Sequence, residues 1–228
     1  MPRALTSLPH GMHVLVVDAR SDDRTVEFAR AAGADVVERD WTDFVDARRF
    51  ALSRVKTPWT LMIDADEALD DELRDAIVRA PESAEGYVVN RNTYFCGKAL
   101  RMWRREPLLR LFRTEGAQVT ARSAAGGGAS LHERWQCAGR CAELPGTLLH
   151  FSYPDHASYH AKFERYTDLE AASMPRSFSR VAWEWLAVWP RLLALLIGRG
   201  ALLDGPRGIA AAYGSARYRY VSARKALR

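Results

Sequence analysis

The chain has 228 residues, of which 48% are hydrophobic and 27% are charged, and its formal net charge is +5 at pH 7. This composition is typical of a globular protein with one large core, or a core with an appendage, and it excludes a disordered chain and a bundle of membrane helices. The positive charge indicates a polyanionic partner, which is nucleic acid, anionic lipid or a phosphorylated substrate.

Short apolar runs alternate with amphipathic stretches along the first part of the chain. The pattern predicts strands at 13–17, 35–38 and 59–63 and helices near 22–32, 43–55 and 70–79. This order is a βαβ series, which predicts parallel strands covered by helices. Strands at 86–95 and 108–113, a glycine-rich loop at 124–129 and, after residue 155, helices complete the pattern. We therefore predict an α/β fold with two domains, 1–154 and 155–228.

Two of the predicted strands end in acidic residues. The first strand leads into Asp18, and the third leads into Asp64-Ala-Asp-Glu67. The carboxyl ends of parallel strands meet at one edge of a sheet, where α/β proteins bind ligands. Carboxylates at that edge would suit a divalent cation on a diphosphate. The alternative is that these acids only cap the helices that follow them.

Three basic or titratable side chains on later strands are further candidates. Arg110 and Arg113 lie on the strand predicted at 108–113, where they would bind anionic groups bidentately or, alternatively, protect an exposed sheet edge. His150 ends an apolar run. A neutral imidazole there would complete a metal shell and a protonated one would hold a phosphate, while the alternative is a buried core histidine.

The three cysteines, Cys96, Cys137 and Cys141, lack the paired spacing of a zinc or redox site. We interpret them as reduced thiols in a cytosolic compartment, and we disfavour a metal cluster of His132 with the last two. The first ten residues have no long apolar core of the kind found in signal peptides. The sequence thus predicts a protein that is not exported.

The helical region after residue 155 contains an apolar stretch at 181–197 that is rich in Trp and Leu. Glu184, Pro190 and Arg191 interrupt it, so it is too broken to span a bilayer. Three tryptophans beside basic residues predict a helix lying on an anionic leaflet, and the basic tail at 216–228 strengthens that attraction. The alternative is an ordinary helix packed on the first domain.

The order of the motifs resembles family 2 inverting glycosyltransferases, whose GT-A fold is a Rossmann-like three-layer α/β/α sandwich. The first motifs of this resemblance are Asp18-x-x-Ser21-x-Asp23-x-Thr25, Gly33-Ala34, Trp41 and Asp64-x-Asp66-Glu67. The later ones are similar to the bacterial lipopolysaccharide-core β-1,4-glucosyltransferase subgroup: Tyr87-Val-Val-Asn-Arg91, Phe95-x-Gly97-Lys98, Arg110-Leu-Phe-Arg113, His132-Glu133, His150-Phe-Ser-Tyr153, Tyr159-x-x-Lys162-x-x-x-Tyr166 and Leu203-Asp-Gly-x-x-Gly208. The resemblance runs from about residue 12 to the C-terminus.

The resemblance implies transfer of a hexose, with glucose first, from a nucleotide-diphosphate sugar such as UDP-glucose to a lipopolysaccharide-core or lipid-linked glycan. Mg²⁺ or Mn²⁺ would offset the charge on the leaving diphosphate. We expect Asp66 to bind this metal directly, with Asp64 on the ribose, on the metal or on metal-bound water. Asp18 would hold the nucleoside, as the matching acid does in the family.

Inversion by a single displacement needs a base that takes the proton of the acceptor hydroxyl. The family resemblance assigns this role to Glu133, which follows the glycine-rich loop. The alternative for Glu133 is a surface ion pair with its neighbour Arg134, an arrangement that contributes little to stability.

The sequence departs from the family pattern at two places. The family usually begins with another strand and helix that line the nucleotide pocket, so we expect a GT-A fold that is N-terminally truncated and carries a C-terminal helical extension. The second departure is Arg49, where the family tends to have Asn, while Arg48 keeps the basic function of that motif.

We therefore predict a metal-dependent hexosyltransferase that is cytoplasmic and peripheral on the inner face of the bacterial plasma membrane. No nucleic acid is expected as a partner, because the chain has no recognised nucleic-acid motif. The alternative is a truncated, non-catalytic remnant that acts as a membrane-associated binding protein.

Overall fold

A computed structural model describes residues 1–121 and 133–228, apart from the side chains of residues 121 and 133. The chain divides into two compact units. The first comprises Met1–Arg91, Arg105–Ala121 and the described part of His132–His150, and the second includes Asn92–Arg104 and Phe151–Arg228. The predicted α/β fold followed by helices is confirmed.

Four helices belong to the first unit, and polar caps set where two of them begin. They are α1 (Pro2–Ser7), α2 (Thr25–Ala31), α3 (Phe44–Arg54) and α4 (Asp71–Val78). The side chain of Asp43 accepts the N–H of Asp46 at the start of α3, and Asp70 accepts the N–H of Leu73 at the start of α4. Each cap satisfies a backbone donor that has no partner inside the helix.

Within residues 1–121 and 133–228, ten strands form three sheets. They are β1 (Leu15–Asp18), β2 (Asp35–Glu38), β3 (Trp59–Leu61), β4 (Glu67–Leu69), β5 (Gly86–Phe95), β6 (Lys98–Ala99), β7 (Glu106–Arg113), β8 (Gln118–Ala121), β9 (Glu133–Gln136) and β10 (Cys141–Tyr153). The largest sheet has the order β3-β7-β5-β10-β4 with β6 beside β5, and the pairs β1-β2 and β8-β9 stand apart.

The prediction of parallel strands is confirmed only for β1 and β2, which are joined by α2. The strand predicted to continue the series, β3, pairs antiparallel with β7 instead. Strands β7 and β5, and β10 and β4, are also antiparallel. The largest sheet is therefore built from strands that lie far apart in the chain, and the βαβ pattern does not predict how they pair.

Two apolar clusters support the first unit. One gathers α4 and the middle of the large sheet around the buried side chains of Leu73 and Leu148. In the other, Phe112 of β7 stacks on Trp135 of β9 with ring centroids 4.7 Å apart. These clusters hold β3, β4, β7 and β10 in place, and the candidate site lies on those strands.

The second unit is mainly helical. Its longer helices are α5 (His156–Ala171), α6 (Phe178–Leu193) and α7 (Pro206–Lys225), and short helical turns cover Arg101–Trp103, Ala194–Gly198 and Ala201–Asp204. The core surrounds Phe95, Tyr159 and Phe163. A Cβ at Gly214 of α7 would overlap the hydroxyl of Tyr159, so the close approach of α5 and α7 requires glycine there.

The motif Leu203-Asp-Gly-x-x-Gly208 has a structural role in the second unit. Buried Asp204 accepts the backbone N–H of Arg101 at 2.6 Å and lies 3.4 Å from the ammonium of Lys98. A Cβ at Gly208 would overlap the carbonyl oxygen of Ala201. These contacts fix the start of α7 against the two short helical turns.

Candidate active site

The tetrad Asp64-Ala-Asp-Glu67 forms a tight turn between β3 and β4. The N–H of Glu67 donates to the carbonyl oxygen of Asp64, and the N–H of Asp64 donates to the carboxylate of Glu67, both at 2.9 Å. The turn is therefore closed by two reciprocal hydrogen bonds. The helix that follows is capped by Asp70 and not by the tetrad, so the simple capping alternative does not describe these residues.

Strand β10 brings His150 next to this turn. In the antiparallel ladder His150 lies opposite Glu67, and Leu149 lies opposite Ala68. The Nε2 atom of His150 is 3.4 Å from a carboxylate oxygen of Asp66. Asp66 is 37% exposed and His150 is 14% exposed, so ligands can reach the pair from solvent. Two of the three residues predicted to hold a metal, Asp66 and His150, are thus neighbours.

Two arginines hold Asp64. Arg48 of α3 forms an ion pair with one carboxylate oxygen, and Arg110 of β7 lies 3.3 Å from the other. Burial acts to raise the pKa of Asp64, but the positive charges of Arg110 and Arg48 outweigh it and lower the pKa below its ordinary value. Asp64 is therefore a carboxylate at neutral pH, with its orientation fixed.

Glu67 connects this cluster to a third arginine. Its side chain is fully buried and lies 2.7 Å from Arg110 and 3.1 Å from Arg91 of β5. Arg91 also pairs with Glu106 at 2.7 Å. Burial acts to lower the pKa of Arg91, but Glu106 and Glu67 raise it above its ordinary value. Three carboxylates and three guanidiniums therefore balance one another beneath the turn.

No individual role was predicted from the sequence for Glu67, Arg91 or Glu106. Glu67 stands in the quoted tetrad and Arg91 ends a quoted motif, so both were visible as motif members. Their contact depends on the pairing of β4, β5, β7 and β10, which no local pattern specifies. We call the six side chains of Arg48, Asp64, Glu67, Arg91, Glu106 and Arg110 the buried ion cluster, in which Glu106 is the half-exposed member at the rim.

Asp18 ends β1, as predicted, and is nearly fully buried. Its carboxylate accepts the backbone N–H and the hydroxyl of Ser21, both at 2.7 Å. At the start of α2 the hydrogen-bond acceptor is instead Asp23, whose carboxylate accepts the N–H of Thr25 at 2.8 Å. Asp18 thus fixes the loop after β1, and its contact with a nucleoside stays a prediction.

Arg113 is directed differently from Arg110, although both lie on β7. Its guanidinium is 4.7 Å from the ring centre of Trp59 and 3.6 Å from the carboxylate of Glu82. Side chains alternate between the two faces of a strand, so residues three apart point to opposite faces. The structure therefore joins Arg110 to Asp64 and gives Arg113 other partners.

Glu133, the predicted base, opens β9 and lies opposite Ala121 of β8 in the backbone ladder. Its side chain, and the neighbouring loop residues with His132, are outside the described residues. Trp135, two residues further along β9, anchors the strand by stacking on Phe112. The catalytic role of Glu133 stays a prediction.

Cys137 and Cys141 face each other where β9 leads into β10, with their sulfur atoms 2.7 Å apart. Burial, a hydrogen bond with Cys137 and the charge of that neighbour raise the pKa of Cys141 to about 11. The suggested metal partner of this pair, His132, lies outside the described residues. At neutral pH Cys141 is therefore a protonated thiol.

Comparison with known proteins gives a family for this sequence. The sequence model of "Glycosyl transferase family 2" matches residues 2–132, which is more than half of the chain. An "Uncharacterized glycosyltransferase" of Rickettsia bellii is 43% identical over 76 residues, covering 33% of this chain and 26% of that protein. "Lipopolysaccharide core biosynthesis glycosyltransferase LpsC" of Rhizobium meliloti is 29% identical over 103 residues, covering 42% of this chain and 38% of that protein. The matched part is thus well under half of each relative.

Proposed function

Because the chain belongs to glycosyltransferase family 2, we propose that it transfers a hexose, with glucose first, from a nucleoside diphosphate sugar to a glycan with inversion at the sugar. The observation that carries this proposal is the turn at Asp64–Glu67, which presents Asp66 beside His150 at the edge of the large sheet. The relative named for lipopolysaccharide core biosynthesis supports an acceptor in that core or on a lipid carrier. We place the enzyme peripherally on the inner face of the bacterial plasma membrane, where such acceptors are built.

The pair of Asp66 and His150 fits a shared site for Mg²⁺ or Mn²⁺. Among residues 1–121 and 133–228, no three His, Cys, Asp or Glu side chains are grouped closely enough to enclose a metal ion. Such a partial site suits a cation held by one or two protein ligands together with the phosphates of its substrate, and an imidazole ligand favours Mn²⁺. When bound, the metal would neutralise charge on the leaving diphosphate.

Asp64 has a different role in this proposal. Its carboxylate is occupied by Arg48 and Arg110, which supports contact with the ribose or with metal-bound water rather than direct coordination. The buried ion cluster holds the turn in place before the donor binds. Such preorganisation lowers the cost of orienting polar groups in the transition state. Asp18 is proposed to bind the nucleoside, and Arg113 is kept as a candidate contact for a more distant anionic group.

Glu133 is proposed as the general base. It would take the proton of the acceptor hydroxyl while the acceptor oxygen bonds to the anomeric carbon and the bond from that carbon to the diphosphate oxygen breaks. The nucleoside diphosphate leaves from the opposite face of the sugar, which produces inversion. Stacking of Trp135 on Phe112 supports this role, because it anchors the strand on which Glu133 lies.

The test is a transfer assay with UDP-glucose, Mn²⁺ or Mg²⁺ and bacterial membrane acceptors, in which release of UDP is measured. We expect Asp66→Asn and Glu133→Gln each to lower the rate by about 100-fold or more. The matched control is Asp71→Asn, because Asp71 is an exposed acid in the first turn of α4. Transfer that is unaffected by Asp66→Asn would overturn the metal assignment.

Calorimetric titration with UDP and Mn²⁺ separates the enzyme from the non-catalytic alternative. Micromolar binding that requires Mn²⁺ and is weakened by Asp66→Asn supports the proposed donor site. Failure to bind UDP with either metal would favour the truncated, non-catalytic remnant and would reject the proposed transfer reaction.

A further inference from the structure

Helix α6 presents its apolar side chains outward. Its exposed residues include Phe178, Trp183, Trp185, Leu186, Trp189 and Leu193, and Ile197 continues them in the next turn. We call these seven side chains the outer stripe. Trp185, Trp189 and Leu193 are four residues apart, so they lie one above another on one helix face. In a helix packed into a soluble core, that face would be covered.

The opposite side of α6 carries its charged residues and is turned inward. Glu184 is only 3% exposed, and its carboxylate lies 2.6 Å from Arg191 of the same helix and 3.1 Å from Arg219 of α7. Val188, one turn further on, is also buried. The helix is therefore held to α7 by its polar side, which leaves the outer stripe uncovered within the described residues of this unit.

The exposed charges around the outer stripe are positive. Between residues 176 and 228 the sequence has ten Lys or Arg residues and two acidic residues, Glu184 and Asp204. Both acids are buried and paired with cations. Arg176 and Arg199 are exposed and lie two residues before and two residues after the stripe in the chain. A surface that is apolar at its centre and basic at its edges complements an anionic bilayer.

The same segment, Phe178–Gly198, is the one helical stretch among the described residues that is long and apolar enough to cross a membrane by length and composition. Crossing would place Glu184 and Arg191, and the paired Arg219 of α7, inside the hydrocarbon. Charged groups at that depth are costly and rare. The ion pairs that bind α6 to α7 therefore favour a helix lying on the bilayer surface.

We propose that the outer stripe inserts into the interface of an anionic membrane, with its tryptophans at the level of the lipid headgroups and the neighbouring arginines on lipid phosphates. The inward position of Glu184 is what makes this face both apolar and free of negative charge. The inference deepens the location given in the proposed function, and it needs no donor or acceptor to be tested.

The experiment is flotation of the full chain with vesicles of phosphatidylcholine alone, or of phosphatidylcholine with about one third phosphatidylglycerol. We expect binding to the anionic vesicles that falls at about 1 M salt, where charges are screened within a few ångströms. The double substitution Trp185→Ser/Trp189→Ser should weaken binding by about tenfold or more, since binding scales with the buried apolar area. The matched control is Trp41→Ser, which removes an exposed tryptophan of the first unit.

Equal binding of the parent and the double variant, or absence of binding to the anionic vesicles, would overturn the proposal. Resistance of the bound protein to extraction at alkaline pH would also overturn it, because that result indicates a helix that crosses the bilayer. Circular dichroism of each variant shows that it is folded. The calorimetric titration with UDP and Mn²⁺ contains no membrane and reports on the proposed donor site separately, so failure of one proposal leaves the other standing.

Discussion

Each of the two units of this protein contains a buried glutamate paired with two arginines, and the surfaces beside the two glutamates differ. In the first unit Glu67 lies between Arg91 and Arg110, whose side chains are 18% and 5% exposed. In the second unit Glu184 lies between Arg191 and Arg219, whose side chains are 33% and 50% exposed. Both glutamates are desolvated and paired, which is the condition under which a protein tolerates a buried charge.

The difference lies in what each pair of arginines leaves exposed. Around Glu67 the ion pairs fix the turn that carries Asp64 and Asp66, and the neighbouring exposed surface is a polar site. Around Glu184 the ion pairs hold the charged side of α6 inward, and the side of the helix that stays exposed is apolar. A buried carboxylate thus determines which chemistry the neighbouring surface presents.

Removing Glu67 is expected to have the largest effect on stability. In Glu67→Ala the guanidiniums of Arg91 and Arg110 lose their shared carboxylate while staying largely buried, so the free energy of unfolding should fall by about 3–5 kcal/mol. Urea denaturation followed by circular dichroism measures this. The control is Glu106→Ala, which removes a half-exposed partner of Arg91 and should cost less than about 1 kcal/mol. Equal effects of the two variants would show that burial does not distinguish these carboxylates.

Glu184→Ala should cost less, about 1–2 kcal/mol, because Arg191 and Arg219 can turn toward solvent when their partner is lost. The same urea experiment measures the change. Binding to anionic vesicles should weaken as well, because α6 is no longer held to α7 by its charged side. A loss of stability as large as that of Glu67→Ala would contradict the comparison of the two units.

The smallest effect concerns Cys141, whose pKa is raised by burial and by the hydrogen bond and charge of the neighbouring Cys137. At about pH 8.5, where an ordinary thiol is half ionised, Cys141 should be alkylated slowly, and its rate should rise as the pH approaches its pKa of about 11. Cys137→Ala removes the neighbouring hydrogen bond and charge, so the rise should move to lower pH. Mass spectrometry of the alkylated peptide measures both rates. Identical profiles in the two proteins would leave burial as the cause.

The local patterns of the sequence predicted most of the elements that carry the site. Strands β1, β2, β3, β5 and β7 and helices α2, α3 and α4 lie within a few residues of their predicted positions. Strand β4 was missed, because Glu67–Leu69 is too short to show an alternating pattern and is followed directly by the cap of α4. The different surroundings of Arg110 and Arg113 could have been predicted from the sequence, because residues three apart on a strand point to opposite faces.

The strand that leads into the acidic tetrad, the family resemblance and the interrupted apolar stretch of α6 could all be predicted, because each depends on residues close together in the chain. The contacts of His150 with Asp66, of Arg91 and Arg110 with Glu67, and of Arg219 with Glu184 could not, because they depend on how the chain folds. These contacts join residues that lie 24 to 84 positions apart. The two buried glutamates must each meet an opposite charge, and the register of distant strands and the packing of α6 on α7 determine which arginines they meet. The same strand register brings His150 to Asp66.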